Sequence, residues 1–148
     1  MAFFAGTYQA TIDDKGRVVL PSAFKKAMGE NIPDQVVLEK NRLGKCLDIH
    51  PMEVWQEKVE KFQAKVRAST NPAHFAALRQ YFRNFAPVSL AANGRINIPD
   101  EYLKYANLEG KVTFLGMGAS ISLSNEIVAE ADDISDDAYL DMLREFDL

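Results

Sequence analysis

One cysteine, Cys46, stands in a chain of 148 residues, so no intramolecular disulfide can form. That usage fits a reducing compartment, although a bridge between two chains stays open. Histidine is also scarce, with only His50 and His74. Cys46 and His50 make half a zinc site at best, no Cys-x-x-Cys completes it, and Cys46 reads as a core residue. No apolar run approaches the roughly 20 residues that cross a bilayer. The opening MAFFAGTYQA lacks the basic n-region and apolar core of a secretory leader. A soluble cytoplasmic protein without a membrane partner is expected. No nucleophile–base pair or carboxylate dyad stands out. The glycine-rich GMGAS, Gly116–Ser120, lacks the Lys and Ser/Thr of a phosphate loop and precedes a strand pattern, so it reads as a hairpin turn. Nothing points to an enzyme, a cofactor or a small-molecule substrate.

The net charge of −4 seems to speak against nucleic acid, but it averages two unlike regions. From Glu126 onward there are nine acidic residues and a single base, Arg144. The preceding 125 residues carry 16 basic and 12 acidic side chains, so the body is mildly basic and the tail strongly acidic. Apolar residues make up 47%, enough for a real core.

What the chain does have is a repeat. TIDDKGRVVLP, Thr11–Pro21, returns as SLAANGRINIP, Ser89–Pro99. In the first copy TYQATID alternates as a strand, DKG makes a turn and RVVLP reads as a returning strand. Gly16 and Gly94 suit the left-handed position of such a turn. Pro21 suits the first turn of a short helix, SAFKKAMG, ended by Gly29. DQVVLEK and KCLDIHP follow as strands around NRLG. The second copy repeats this order with APVSLA, ANG, RINIP, DEYLKYAN, KVTFLGM and ASISLS, making Leu20 equivalent to Ile98 and Phe24 to Tyr102 as core positions. Units of about 45 residues bury too little surface alone, so the halves are expected to complete each other. Between them, PMEVWQEKVEKFQAKVRA carries Val54, Trp55, Val59, Phe62 and Val66 on one helical side. This stripe reads as core or subunit interface. Asn71 and Pro72 open a second helix whose apolar side holds Phe75, Leu78, Phe82 and Phe85. In the tail, SNEIVAEA and the Ser135-capped DDAYLDMLREF read as helices, with Tyr139, Leu140 and Leu143 docking on the body. A sharper reading makes the acidic tail a DNA mimic.

The repeated turn has an ordinary explanation: Asp13 accepts from backbone N–H groups ahead of it and pairs with Arg17, a surface ion pair worth at most about 1 kcal/mol. The second copy tests that explanation. Ala91 replaces Asp13 and Asn93 replaces Lys15, yet Gly-Arg and the later Pro survive. Backbone geometry accounts for Gly and Pro but not for Arg. A guanidinium held on a stiff turn suits phosphate or a guanine edge. Lys25 and Lys26 read mainly as an exposed helix face.

These runs, with CLDIHPMEVW between them, resemble the MraZ family of bacterial transcriptional regulators, built from two SpoVT/AbrB-type domains. The resemblance extends from Phe3 to about Glu126. It implies an α+β, mainly β fold of duplicated swapped-hairpin barrel units, spanning 7–54 and 83–126. A helical connector over 55–82 and an acidic helical tail over 127–148 complete the plan. It implies rings of protomers in the cytoplasm, associated with the nucleoid. It further implies binding to repeated boxes in double-stranded DNA upstream of the division and cell-wall gene cluster. The DNA-binding set would be Asp13, Lys15, Gly16 and Arg17, with Asn93, Gly94 and Arg95 in the second copy. In that set Arg17 and Arg95 make the principal contacts, Lys15 meets phosphate, Asp13 directs Arg17, and the glycines let DNA come close. The family's second Asp is missing at Ala91, which makes Arg17 the more firmly held arginine. Two other readings are a ring-forming scaffold with weak DNA affinity and an AbrB-type antitoxin; the length, the duplication and the absence of a disordered extension weigh against the antitoxin.

Overall fold

A computed structural model describes residues 2–126 and 133–148. Among these residues eight strands and five helices follow in the order β1 (Thr7–Ile12), β2 (Arg17–Val19), α1 (Ser22–Ala27), β3 (Gln35–Lys40), β4 (Cys46–Pro51), α2 (Met52–Arg67), α3 (Pro72–Arg83), β5 (Phe85–Ser89), β6 (Arg95–Asn97), α4 (Asp100–Ala106), β7 (Gly110–Gly116), β8 (Ile121–Asn125) and α5 (Asp136–Glu145). The class is α+β, mainly β, with all strand pairs antiparallel. The ladders form an open six-stranded sheet, β1-β7-β8-β4-β3-β5, and a separate ribbon of β2 and β6. The order is a palindrome of the repeat, since β5, β3 and β4 are the duplicates of β1, β7 and β8.

Strand partnership follows from this symmetry. The first turn closes locally, with Asp13 accepting from the Gly16 N–H and donating to the Arg17 carbonyl, both at 3.1 Å. The chain that returns from the turn, however, does not pair with β1. β1 pairs with β7 of the other half, and β2 pairs with its own duplicate, β6. The reason is that β2 and β6 are three residues long and bury one side chain each. Val18 and Ile96 stand directly opposite one another and are almost fully buried. Each strand alone covers too little, whereas together they close one side of the core.

That core is filled in equivalent pairs: Val18 and Ile96, Leu20 and Ile98, Phe24 and Tyr102, Ile12 and Leu90, all buried. Each such side chain contributes about 1.5–3 kcal/mol on burial. Phe24 meets the rings of Phe4 and Tyr8 edge-on, at 5.7 and 5.1 Å. Tyr102 instead carries the Lys40 ammonium 5.0 Å from its centroid, and Lys40 also pairs with Glu101. At the far end the Gly116–Ser120 turn joins β7 to β8, and Phe4 bridges to Gly118. Pro87, which cannot donate to a ladder, lies on the edge strand β5.

The helices depart from expectation in places. Pro21 and Pro99 sit one residue before α1 and α4, accepting from Phe24 and Tyr102 through their carbonyls. The Asn71 side chain caps α3 by accepting from Ala73, as its position suggested, and Ser135 accepts from Ala138 at the start of α5. Trp55 packs on Phe82 and Phe85, and Phe62 on Tyr81, so α2 and α3 clasp one another, with α2 lying against β3 and β4 and α3 against β5. Phe75 is 57% exposed rather than packed. On α5, Tyr139 and Leu140 stand exposed instead of docking, and Leu143 is half-buried. The predicted SNEIVAEA helix falls mostly outside the described residues.

Candidate nucleic-acid interface

The two turns are built alike. Gly16 and Gly94 have φ of +80° and +88°, a region that costs an L side chain about 1–2 kcal/mol. Each N–H donates to the residue three back, Asp13 or Ala91, and each carbonyl accepts from the opposite half. Ile98 donates to Gly16 and Leu20 to Gly94, both at 2.8 Å. Both glycines are buried. A Cβ on Gly16 would lie 2.6 Å from the Ile98 carbonyl oxygen; on Gly94 it would lie 2.9 Å from Lys25 Cδ. The approach the glycines permit is therefore that of the chain's own other half, a different reason from the one expected for them.

Arg17 and Arg95 share the outer face of the ribbon. In the register Arg17 opposes Asn97 and Arg95 opposes Val19, and all four are exposed while Val18 and Ile96 point inward. The arginines are diagonal neighbours, which places their Cα atoms about 8 Å apart. A single rigid face thus carries one guanidinium from each half.

Asp13 organises only the first turn. One carboxylate oxygen accepts from the Lys15 and Arg17 backbone N–H groups at 3.0 and 2.9 Å. The other accepts from Arg17 Nε at 2.6 Å. The Arg17 N–H above all holds this carboxyl below its ordinary value of 3.8; desolvation opposes it, and the Arg17 guanidinium and the Lys15 N–H add to the lowering. A lowered carboxyl pKa gives stability that is present above the unfolded value and is lost as pH falls through the folded one. The melting-temperature gap between the parent and Asp13→Asn should therefore shrink as the buffer drops below pH 3.8. A gap that stays constant there would show that ionisation of Asp13 contributes nothing.

In the second turn Ala91 leaves no carboxylate, and Asn93 takes over part of the work. Its Oδ1 accepts from the Arg95 N–H at 3.0 Å. Among the described residues no acceptor holds the Arg95 guanidinium. Asn93 is therefore a cap, a role readable in the sequence from the side-chain turns that Asn favours. Lys25 is the residue that helix-face reasoning misplaced: its stem lies across Gly94 in the second turn. Leu103 packs across Gly16 at the equivalent place, with Cδ1 2.9 Å from the Cβ position. The signal was in the repeat, where a lysine stands opposite an apolar residue.

Elsewhere, Glu39, Asp48 and His50 place ligand-capable atoms within 4.8 Å of one another, and Cys46 is not among them. Each carboxylate there already has a protein donor, Glu39 facing His50 Nε2 at 2.8 Å and Asp48 accepting from Asn41 at 2.9 Å. Burial, with the nearby Glu39 charge, pushes the Asp48 carboxyl up. No described helix is long and apolar enough to cross a membrane.

Residues 3–79 match the family model described as "MraZ protein, putative antitoxin-like". The chain is 32% identical to "Transcriptional regulator MraZ" of Phocaeicola vulgatus, over 86% of its own length and 82% of that protein's. The namesake in Clostridium tetani is 33% identical, over 81% and 80% of the two chains, and that of Bacteroides fragilis 29%, over 83% and 77%. With a family model matching over half its length and a relative above 30% identity across most of it, and with the duplicated turns disposed about one ribbon, this chain belongs to the MraZ family.

Proposed function

We propose that this protein is a sequence-specific DNA-binding transcriptional regulator that reads repeated boxes upstream of the division and cell-wall gene cluster. The observation that carries the reading is the outer face of the β2–β6 ribbon, where Arg17 and Arg95 stand side by side on a frame closed by backbone bonds between the halves. A rigid pair of guanidinium groups loses little freedom on meeting phosphate or a guanine edge. The relatives' name, "Transcriptional regulator MraZ", agrees with it. In this reading Arg17 and Arg95 touch DNA, Lys15 reaches phosphate, and Asp13, Gly16, Asn93 and Gly94 hold the turns. Assembly into a ring would repeat the ribbon around a circle and match it to repeated boxes through effective concentration. The protein would work in the cytoplasm, on the nucleoid.

The test is a binding titration across a salt series, with the duplex upstream of the protein's own coding sequence and a shuffled duplex of equal length. Tighter binding to the upstream duplex, with log affinity falling linearly in log salt, is the expected result. Equal affinity for both duplexes at every salt concentration overturns the sequence-specific reading. Binding to neither favours the scaffold.

A further inference from the structure

The two ends of the ribbon differ in charge far more than the loss of one Asp suggests. The first turn carries two carboxylates, Asp13 and Asp14, against Lys15 and Arg17. The cleft beside it is lined by Asp13, Asp14, Asp100 and Glu109, relieved by Lys104, which already pairs with Asp100 at 2.9 Å. At the second turn the equivalents of Asp13, Asp14 and Asp100 are Ala91, Ala92 and Ser22, all uncharged. Among the described residues no carboxylate forms an ion pair with Arg95. Into this end the first half sends Lys25, whose Cδ and Cε would lie 2.9 and 3.4 Å from a Cβ on Gly94.

Leu103 shows what packing alone asks of that position, since in the first turn an apolar side chain covers the glycine. A lysine in the same place keeps the apolar stem on the turn and extends an ammonium to solvent beyond it. Among the described residues that ammonium has no ion pair or hydrogen bond. Lys25 is only partly buried and its ammonium is not engaged, so the charge is available to an anion.

We propose that the second turn is the phosphate-anchoring end of the ribbon, with Lys25 and Arg95 as paired phosphate contacts, while the first turn, where Asp13 aims Arg17, reads the bases. This rests on the DNA-facing reading of the ribbon and divides the labour within it. Phosphate contacts fix register without carrying sequence, whereas a guanidinium aimed by a carboxylate has one direction. The electrostatic weight therefore lies at the turn whose signature is incomplete, with one of its two cations lent by the other half.

Lys25→Leu copies the residue of the equivalent position and Lys25→Gln keeps most of the stem without the charge. Both are titrated by fluorescence anisotropy against the upstream and the shuffled duplex across salt, beside Arg17→Ala. Each Lys25 variant should weaken binding to both duplexes by the same factor and make the salt slope shallower by about 0.9 per engaged protomer. Lys25→Arg should restore both readouts, and Arg17→Ala should mainly reduce the preference for the upstream duplex. Unchanged affinity and slope in Lys25→Leu and Lys25→Gln, with Arg17→Ala still impaired, overturns the Lys25 assignment and leaves the DNA reading standing. A loss in Lys25→Leu that Lys25→Gln does not share indicates packing and also overturns it. Unchanged binding in all of these variants removes the DNA reading itself.

Discussion

Changing Arg17 and Arg95 together to Ala is expected to cut affinity for the upstream duplex by about 100-fold or more at moderate salt, with melting temperature nearly unchanged. Each well-placed guanidinium contact is worth about 1–3 kcal/mol. Two lost per protomer come to about 3 kcal/mol at the low-to-middle range, and every 1.4 kcal/mol is tenfold. Folding should survive because both side chains are exposed and the ribbon is held by Val18, Ile96 and the backbone bonds at Gly16 and Gly94. The single variants should differ in kind. Arg95→Ala should lower the salt slope, and Arg17→Ala the discrimination between duplexes. Binding that stays within twofold of the parent in the double variant would remove the ribbon from consideration as the DNA face.

Gly16→Ala should destabilise the fold by about 3 kcal/mol and lower the melting temperature by roughly 6–12 °C. Two costs add at this position. An alanine at φ +80° is strained in itself, and its methyl would meet the Ile98 carbonyl oxygen at 2.6 Å and Leu103 Cδ1 at 2.9 Å. The carbonyl has no room to retreat, because the neighbouring Ile98 N–H is bonded to Gly16 itself. Gly29→Ala is the control. Gly29 has φ of +94° with nothing within 4 Å of its Cβ position, so it should cost only the conformational part, about 1–2 kcal/mol. Equal losses for the two substitutions, measured by thermal unfolding, would mean that the contact between halves adds nothing at Gly16.

Much of this architecture is legible in the residues, for local reasons. Gly-Arg followed by Pro, given twice, marks two turns because positive φ and fixed φ are properties of single residues. Alternation marks β1, the order of the repeat marks β3, β4, β7 and β8, and Asn71 with Pro72 marks the start of α3. Partnership is not local. RVVLP reads naturally as the return of a hairpin, yet the three-residue β2 has one buried side chain to offer, and only its duplicate brings a matching Ile96. Periodicity gives the face of a strand but not the identity of the strand across from it. The same gap hid Lys25. A lysine on a short helix looks solvated until the fold brings Gly94 of the other half beneath its stem. On α5 the amphipathic pattern names a face, but nothing in a pattern names what lies against it.

The opposition of Val18 and Ile96 has a last consequence, for how such a chain can arise and change. Where equivalent residues pair with each other, one half already contains every strand that the other half supplies. A lone ancestral unit would meet its needs in a second copy of itself, Val18 against Val18, as an ordinary twofold homodimer. Joining two such units end to end turns that dimer into one gene product. The halves are then released from having to be identical, so one end can shed a carboxylate and take on a lysine while the other keeps its own. A symmetrical clasp becomes an object with a left and a right.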